Sequence, residues 1–199
     1  SYDNPHVVAG QGTAGLEMLQ NVPDLDMLIV PIGGGGLIAG MALIAKSIKP
    51  EIQIIGVEAE LYPSMSQMIA GQPVICGGET IAEGIAVKSP GSITLPIIED
   101  LVDDIIIVGE QQLEWAVGTL AEQQRVIAEG AGAASLAAIA TAPSRFKDKK
   151  IGGIICGGNI DMRLLGTILN RNMMSDGRLI RLRIGISDEP GMLAKISTA

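Results

Sequence analysis

Short runs of Ile and Val alternate along the chain with longer segments in which apolar residues recur at helical spacing. The strand-like runs are 26–32, 53–58, 104–108 and 150–156. The helical patterns between them are 13–21, 37–48, 64–70, 110–128, 132–140 and 162–170. Near-continuous apolar strands are typical of a parallel sheet that helices cover on both faces. The pattern therefore predicts a doubly wound α/β domain with right-handed crossovers.

The pattern changes at both ends of the chain. Residues 7–13 are predicted to end a strand with a turn of the ligand-binding type, so the chain is expected to begin within a domain. Residues 173–177 read as a polar linker, and 178–186 alternate charged with apolar residues, which predicts a half-exposed antiparallel strand. Asp188 is expected to cap a helix with Pro190 in its first turn. One strand and part of a helix cannot bury a core, so a second, truncated domain is expected over 178–199.

Composition and charge narrow the classes of function. The 199 residues carry a formal net charge of −8, which disfavours nucleic acid as a partner. No apolar run reaches about 18 residues, so no membrane span is expected. Cys76 and Cys156 are too few and too far apart for a metal knuckle or a disulfide framework, which suits a reducing cytoplasm. The single histidine, His6, disfavours His-rich metal sites and a Ser-His-Asp triad.

Four consecutive glycines, Gly33, Gly34, Gly35 and Gly36, join the first apolar strand directly to an apolar helix that begins near Leu37. Glycine lets the backbone curl around a guest and aim successive amides at it. The helix N-terminus adds unpaired donors and a partial positive charge. A tight turn without a ligand needs fewer glycines, so the sequence predicts a site for a phosphorylated small molecule.

Two kinds of phosphorylated ligand fit this loop. The residues from Gly34 to Ala39 satisfy the G-x-G-x-x-A dinucleotide pattern, and Glu58 ends the next strand where a ribose-binding acid belongs. That interpretation implies a nicotinamide-dependent oxidoreductase. The second kind of ligand is a cofactor with a single phosphate, chiefly pyridoxal phosphate. Four glycines cradle one terminal phosphate better than they follow an extended pyrophosphate.

Two further residues are candidates for the site, each with an ordinary structural alternative. Cys156 ends the last buried strand and precedes two glycines. Its thiol either meets a ring nitrogen as a weak donor or is a buried small side chain. Glu129 lies among small apolar residues, where a carboxylate is either a solvated charge at a helix end or a site group with a shifted pKa.

Six ordered motifs resemble one enzyme family. They occupy 8–13, 31–37, 79–84, 100–104, 129–132 and 156–159. Their order and spacing are similar to those of the threonine ammonia-lyase (threonine dehydratase) and serine racemase family, pyridoxal-phosphate enzymes of the tryptophan-synthase-β-like fold, fold type II. The resemblance covers residues 1–172, as the C-terminal part of a catalytic domain. Residues 178–198 resemble the opening strand and helix of an ACT regulatory domain, which favours a dehydratase over a racemase.

The resemblance implies roles for individual residues. The amides of Gly33, Gly34, Gly35, Gly36 and Leu37 would bind the cofactor phosphate, Cys156 would face the pyridine nitrogen, and Gly84 and Glu129 would line the cofactor ring. The implied activity of the parent protein is β-elimination of L-threonine to 2-oxobutanoate and ammonia, in a homo-oligomer. A serine racemase or serine dehydratase-like enzyme and a non-catalytic phosphate-binding fragment are the alternatives.

The chain departs from the family pattern at two points. The family's Schiff-base lysine lies in a motif upstream of this chain, so no catalytic residue is assigned and the chain alone is predicted to be inactive. Lys88, the lysine nearest to the glycine turns, is predicted to be a solvated loop residue. Racemase-like members hold a divalent cation with two acids. Glu58 matches one, but Ser64 replaces the other, so no tight Mg²⁺ or Ca²⁺ site is expected. Glu58 is then predicted to pair with a basic neighbour.

Overall fold

A parallel four-stranded sheet forms the centre of the computed structural model, which describes residues 2–198. The strands are β1 (Met27–Pro31), β2 (Gln53–Ala59), β3 (Asp104–Val108) and β4 (Ile151–Gly153), in the spatial order β3-β2-β1-β4. All four predicted strands are confirmed, but β4 is shorter than the predicted run 150–156. After Gly153 the chain leaves the sheet toward the Cys156 turn.

Helices connect the strands and cover both faces of the sheet. They are α1 (Pro5–Asn21), α2 (Gly36–Ile48), α3 (Ser64–Ile69), α4 (Thr94–Leu101), α5 (Glu110–Thr119), α6 (Gly130–Thr141), α7 (Pro143–Phe146), α8 (Met162–Ser175) and α9 (Met192–Ser197), with a 3₁₀ turn at Glu83–Ile85 and a π-helical turn at Leu120–Gln124. Among these described helices, none combines the length and the apolar character needed to cross a membrane.

Two hydrophobic cores lie on opposite faces of the sheet. All five residues of β1 are buried, and the side chains of residues 27–30 alternate between the cores. Leu28 and Val30 pack with residues of α1, α2 and α4. Met27 and Ile29 pack with residues of α5, α6 and α8. This arrangement confirms the predicted α/β class with a sheet covered on both faces.

The predicted strand end at 7–13 is wrong, because α1 already begins at Pro5. The Asn4 side chain accepts a hydrogen bond from the His6 amide at 2.9 Å, and Pro5 occupies the first helical turn, where its missing N–H costs nothing. Of the two glycines that suggested a turn, Gly12 instead allows close packing against α2, since a Cβ there would lie 3.0 Å from the Gly40 carbonyl oxygen. A Cβ on Gly40 would overlap the carbonyl oxygen of Val8 and lie 2.7 Å from the Gly12 nitrogen.

The predicted helix 110–128 ends early. α5 gives way at Leu120 to the π-helical turn, and Arg125 then adopts a left-handed conformation with φ 58°. This backbone conformation stops the helix. The segment that follows leads to Glu129, which precedes the first residue of α6.

The C-terminal part differs from its prediction at three points. α8 continues to Ser175, through most of the predicted linker 173–177, and ends in a turn in which Gly177 has φ 71°. Within residues 2–198, the predicted strand 178–186 pairs with no other strand, and a strand needs a partner for its backbone groups. α9 begins after Gly191 and not at Asp188. The outermost residues of the two predicted domains, Ser1 and Ala199, lie outside the described residues.

The contact between α1 and α2 gives a prediction about stability. Gly40→Ala is expected to lower the free energy of unfolding by about 1–3 kcal/mol, since the added methyl group overlaps backbone atoms of α1. Urea unfolding followed by circular dichroism measures the change.

Gly10→Ala is the matched control, because Gly10 lies in α1, the helix that Gly40 packs against, and a Cβ there meets nothing within 4 Å. It is expected to raise the free energy of unfolding by up to about 1 kcal/mol through helix propensity. Equal effects of the two substitutions would show that the close approach at Gly40 does not limit packing.

Candidate functional site

A cavity of about 490 Å³ opens at the carboxyl ends of β1 and β4. In doubly wound sheets this is the edge where ligands bind. Every residue that the resemblance assigns to the cofactor lines it: Gly33, Gly34, Gly35, Gly36, Leu37, Gly84, Glu129 and Cys156. The structure therefore brings together four motifs that are up to about 120 residues apart in sequence.

The glycine loop presents unpaired amides to this cavity. Ile32 still donates to the carbonyl of Val57 at 2.7 Å, and the first backbone bond after the loop runs from Ala39 to Gly35 at 2.9 Å. Within residues 2–198, no backbone acceptor takes a hydrogen bond from any amide between Gly33 and Leu37. Gly35 has φ 91°, a conformation that glycine adopts readily. A run of free donors at the start of α2 is suited to an anion.

The motif residues Glu129 and Cys156 belong to segments that touch each other. The Glu129 amide donates to the Gly157 carbonyl at 3.1 Å, and a Cβ on Gly132 would overlap that peptide. The Glu129 side chain makes no capping bond to α6, and its carboxylate lies beside Gly84, where a Cβ would come within 3.1 Å. The glycines of these motifs are thus required for close backbone packing around one carboxylate.

Cys156 lies in the cavity wall and is not a buried core residue. Its Sγ is 3.9 Å from the carbonyl oxygen of Ala131, at the start of α6. Although the residue is exposed, the surrounding protein desolvates the thiol, which raises its pKa, and the nearby Glu129 carboxylate raises it further. The thiol is therefore protonated at neutral pH and available as a weak, uncharged donor.

Several cavity residues have no signal in the sequence. Tyr2 covers the glycine loop: a Cβ on Gly34 would overlap its ring, and its hydroxyl donates to the Ser89 carbonyl at 2.9 Å. Gln11 projects into the cavity from α1. Lys88 is exposed and is not among the described residues that line the cavity, none of which is a lysine.

A family model described as pyridoxal-phosphate dependent enzyme matches residues 1–157. The chain belongs to this family. The match confirms the resemblance seen in the sequence, the type II fold and pyridoxal phosphate as the cofactor of the family.

Known relatives of this pyridoxal-phosphate family member are similar over most of the chain. An L-threonine ammonia-lyase of Thermotoga maritima is 39% identical over 98% of the chain and 49% of its own length. The structure of the processed form of threonine deaminase isoform 2 from Solanum lycopersicum superposes with a TM-score of 0.78 and 34% identity, over 83% of this chain and 47% of that one. Serine racemase from Dictyostelium discoideum gives a TM-score of 0.73 and 37% identity, over 80% and 52%. The chain spans about half the length of these relatives.

The prediction for Glu58, the second-strand acid of this family member, is wrong. Glu58 is fully buried and has no basic partner within residues 2–198. Its carboxylate accepts the amides of Met65 at 2.7 Å and Ser66 at 2.9 Å, at the start of α3. Those oxygens are directed at α3, and Glu58 does not line the cavity, which weakens the dinucleotide interpretation.

Burial of Glu58 links stability to pH. Desolvation raises the pKa of its carboxyl above the ordinary value of 4.5. The hydrogen bonds from the two amides of α3 lower this pKa, but their effect is smaller than that of desolvation. The folded state therefore holds the proton more tightly than the unfolded state. We expect the free energy of unfolding to fall as the pH rises from about 4.5 through the folded pKa.

Glu58→Gln is expected to remove this part of the pH dependence, because the amide does not titrate. Urea unfolding at a series of pH values measures it. Glu51→Gln, which removes an exposed carboxylate just before β2, is the control. An unchanged slope in Glu58→Gln, or an equal change in Glu51→Gln, would contradict the assignment to Glu58.

Proposed function

We propose that this chain is the C-terminal part of the catalytic domain of a pyridoxal-phosphate-dependent L-threonine ammonia-lyase. The parent protein would convert L-threonine to 2-oxobutanoate and ammonia by β-elimination. The observation that carries the proposal is the set of free amides from Gly33 to Leu37, on residues that line the same cavity as Cys156. The likeness of nearly the whole chain to an L-threonine ammonia-lyase supports the choice of reaction.

The residues of the cavity fit the cofactor. The amides of Gly33, Gly34, Gly35, Gly36 and Leu37 would hold its phosphate, aided by the partial positive charge at the start of α2. Cys156 would face the pyridine nitrogen with an uncharged thiol, while Gly84 and Glu129 would line the ring. When bound, pyridoxal phosphate supplies the electron sink for the carbanion at the substrate Cα. A neutral partner at the nitrogen keeps that sink weak, which favours loss of the β-hydroxyl.

A dehydratase is favoured over a racemase by the C-terminal segment. We propose residues 1–172 as catalytic domain, 173–177 as linker and 178–199 as the beginning of an ACT domain, on the resemblance of 178–198 to such a domain. Serine racemase stays the second candidate, because the Dictyostelium enzyme is as similar in sequence as the threonine deaminase. We also propose a homo-oligomer in the cytoplasm.

A protein of the relatives' full length that contains this chain would separate these activities. Supplied with pyridoxal phosphate and L-threonine, it is expected to release 2-oxobutanoate and ammonia in equal amounts. Supplied with L-serine, it is expected to form pyruvate and no D-serine. Formation of D-serine as the main product would favour the racemase.

The chain alone is expected to bind the cofactor through its phosphate without forming a lysine adduct. The reason is that no lysine lines the described part of the cavity, and Lys88 is exposed. Visible absorption after addition of pyridoxal phosphate, followed by borohydride reduction and peptide mapping, tests this. A single modified lysine, above all Lys88, would show that the chain carries its own nucleophile.

A further inference from the structure

The hydroxyl of Thr94 contacts the glycine loop from outside the cavity. Thr94 is the first residue of α4 and is fully buried. Its Oγ1 donates to the carbonyl oxygen of Gly34 at 2.6 Å, across 60 residues of sequence. Thr94 does not line the cavity, and none of the roles assigned above uses it.

We infer that Thr94 is a positioning residue that aims the Gly35 amide at the phosphate. The inference rests on the proposed function, in which the glycine loop holds the phosphate of the cofactor. It adds a residue of α4 that does not touch the ligand but sets the direction of a donor that does.

The planar peptide between Gly34 and Gly35 supports this inference. In a trans peptide the carbonyl oxygen and the following N–H point in opposite directions. Because the Gly34 oxygen faces Thr94, the Gly35 amide faces the other side of the loop. That side is the one that lines the cavity, since Thr94 and its neighbour Ile98 lie against Gly35 and outside it.

A peptide between two glycines needs such a constraint. Glycine has no Cβ to hinder rotation, so a flip of this peptide meets little steric resistance. A flip would break the bond to Thr94 and a second, longer one from the Gly91 amide to the same oxygen at 3.4 Å. These two donors therefore favour the orientation that exposes the Gly35 amide.

Asp3 fixes Thr94 in turn. Its carboxylate accepts the amides of Ser92 at 2.8 Å and Ile93 at 2.7 Å, with a longer bond from Thr94 at 3.4 Å. The hydrogen bond from the Ile93 amide is the main reason that the pKa of this carboxyl is lowered, and the hydrogen bonds from Ser92 lower it further. A charged carboxylate thus holds the start of α4 against the glycine loop.

The test compares Thr94→Val, which keeps the shape and removes the donor, with Thr94→Ser, which keeps the hydroxyl. Dissociation constants are measured on the chain for inorganic phosphate, pyridoxal phosphate and pyridoxal. Thr94→Val is expected to bind the two phosphate-bearing probes about 5- to 10-fold more weakly, as for loss of one hydrogen bond. Pyridoxal binding is expected to stay the same, and Thr94→Ser to bind phosphate within about twofold of the original chain.

Thr167→Val is the matched control, because Thr167 is an exposed residue whose hydroxyl bonds within α8 and lies outside the cavity. If Thr94→Val does not fold, Asp3→Asn replaces it, with an expected 2- to 3-fold weaker binding of phosphate, about half the effect of one bond. Equal loss of pyridoxal binding, or no loss of phosphate binding in a folded variant, would overturn the inference while the proposed function stands. Failure of the original chain to bind either phosphate-bearing probe would overturn both.

Discussion

Close approach of backbone to backbone is the constraint on which the site depends. A side chain at Gly132 would overlap the Gly157 peptide, and one at Gly33 would lie 3.2 Å from the Ile85 backbone. Because main-chain atoms come this near, carbonyls and amides of distant segments form the cavity wall. The five glycines in that wall contribute only peptide groups, and side chains such as Glu129 and Cys156 reach the cavity beside them.

The sheet could be predicted from sequence because each strand is a compact apolar run that both faces bury. The helices were harder to predict where their ends depend on distant residues. α4 contains Pro96, and the carboxylate that holds its start comes from Asp3, about 90 residues away. No local pattern carries that information. α1 was misread because a glycine that permits close helix packing resembles, in sequence, a glycine that permits a turn.

The residues of the site divide in the same way, into those that a local motif indicates and those that only tertiary contacts bring to the cavity. Residues in compact motifs, such as the four glycines and Cys156, could be expected from sequence to lie together, because each motif follows a strand end, and they line one cavity. Tyr2, Gln11 and Thr94 were missed, since their positions at the loop result from tertiary contacts. Glu58 was misjudged for a related reason: its partners are the amides of Met65 and Ser66, which residue types do not reveal.

The end of the ladder between β1 and β4 has a consequence for stability. Pairing stops at Ile29 and Gly153, and beyond it the Ser135 hydroxyl lies between the carbonyls of Ile29 and Ile154, at 2.9 and 3.2 Å. The two strands separate there as a fork, and the cavity occupies the gap between Pro31 and Cys156. A ligand in that gap joins two strands that no longer bond to each other. A ligand bound in the fork would therefore stabilise the folded sheet at this edge. The effect would be greatest for β4, which is only three residues long.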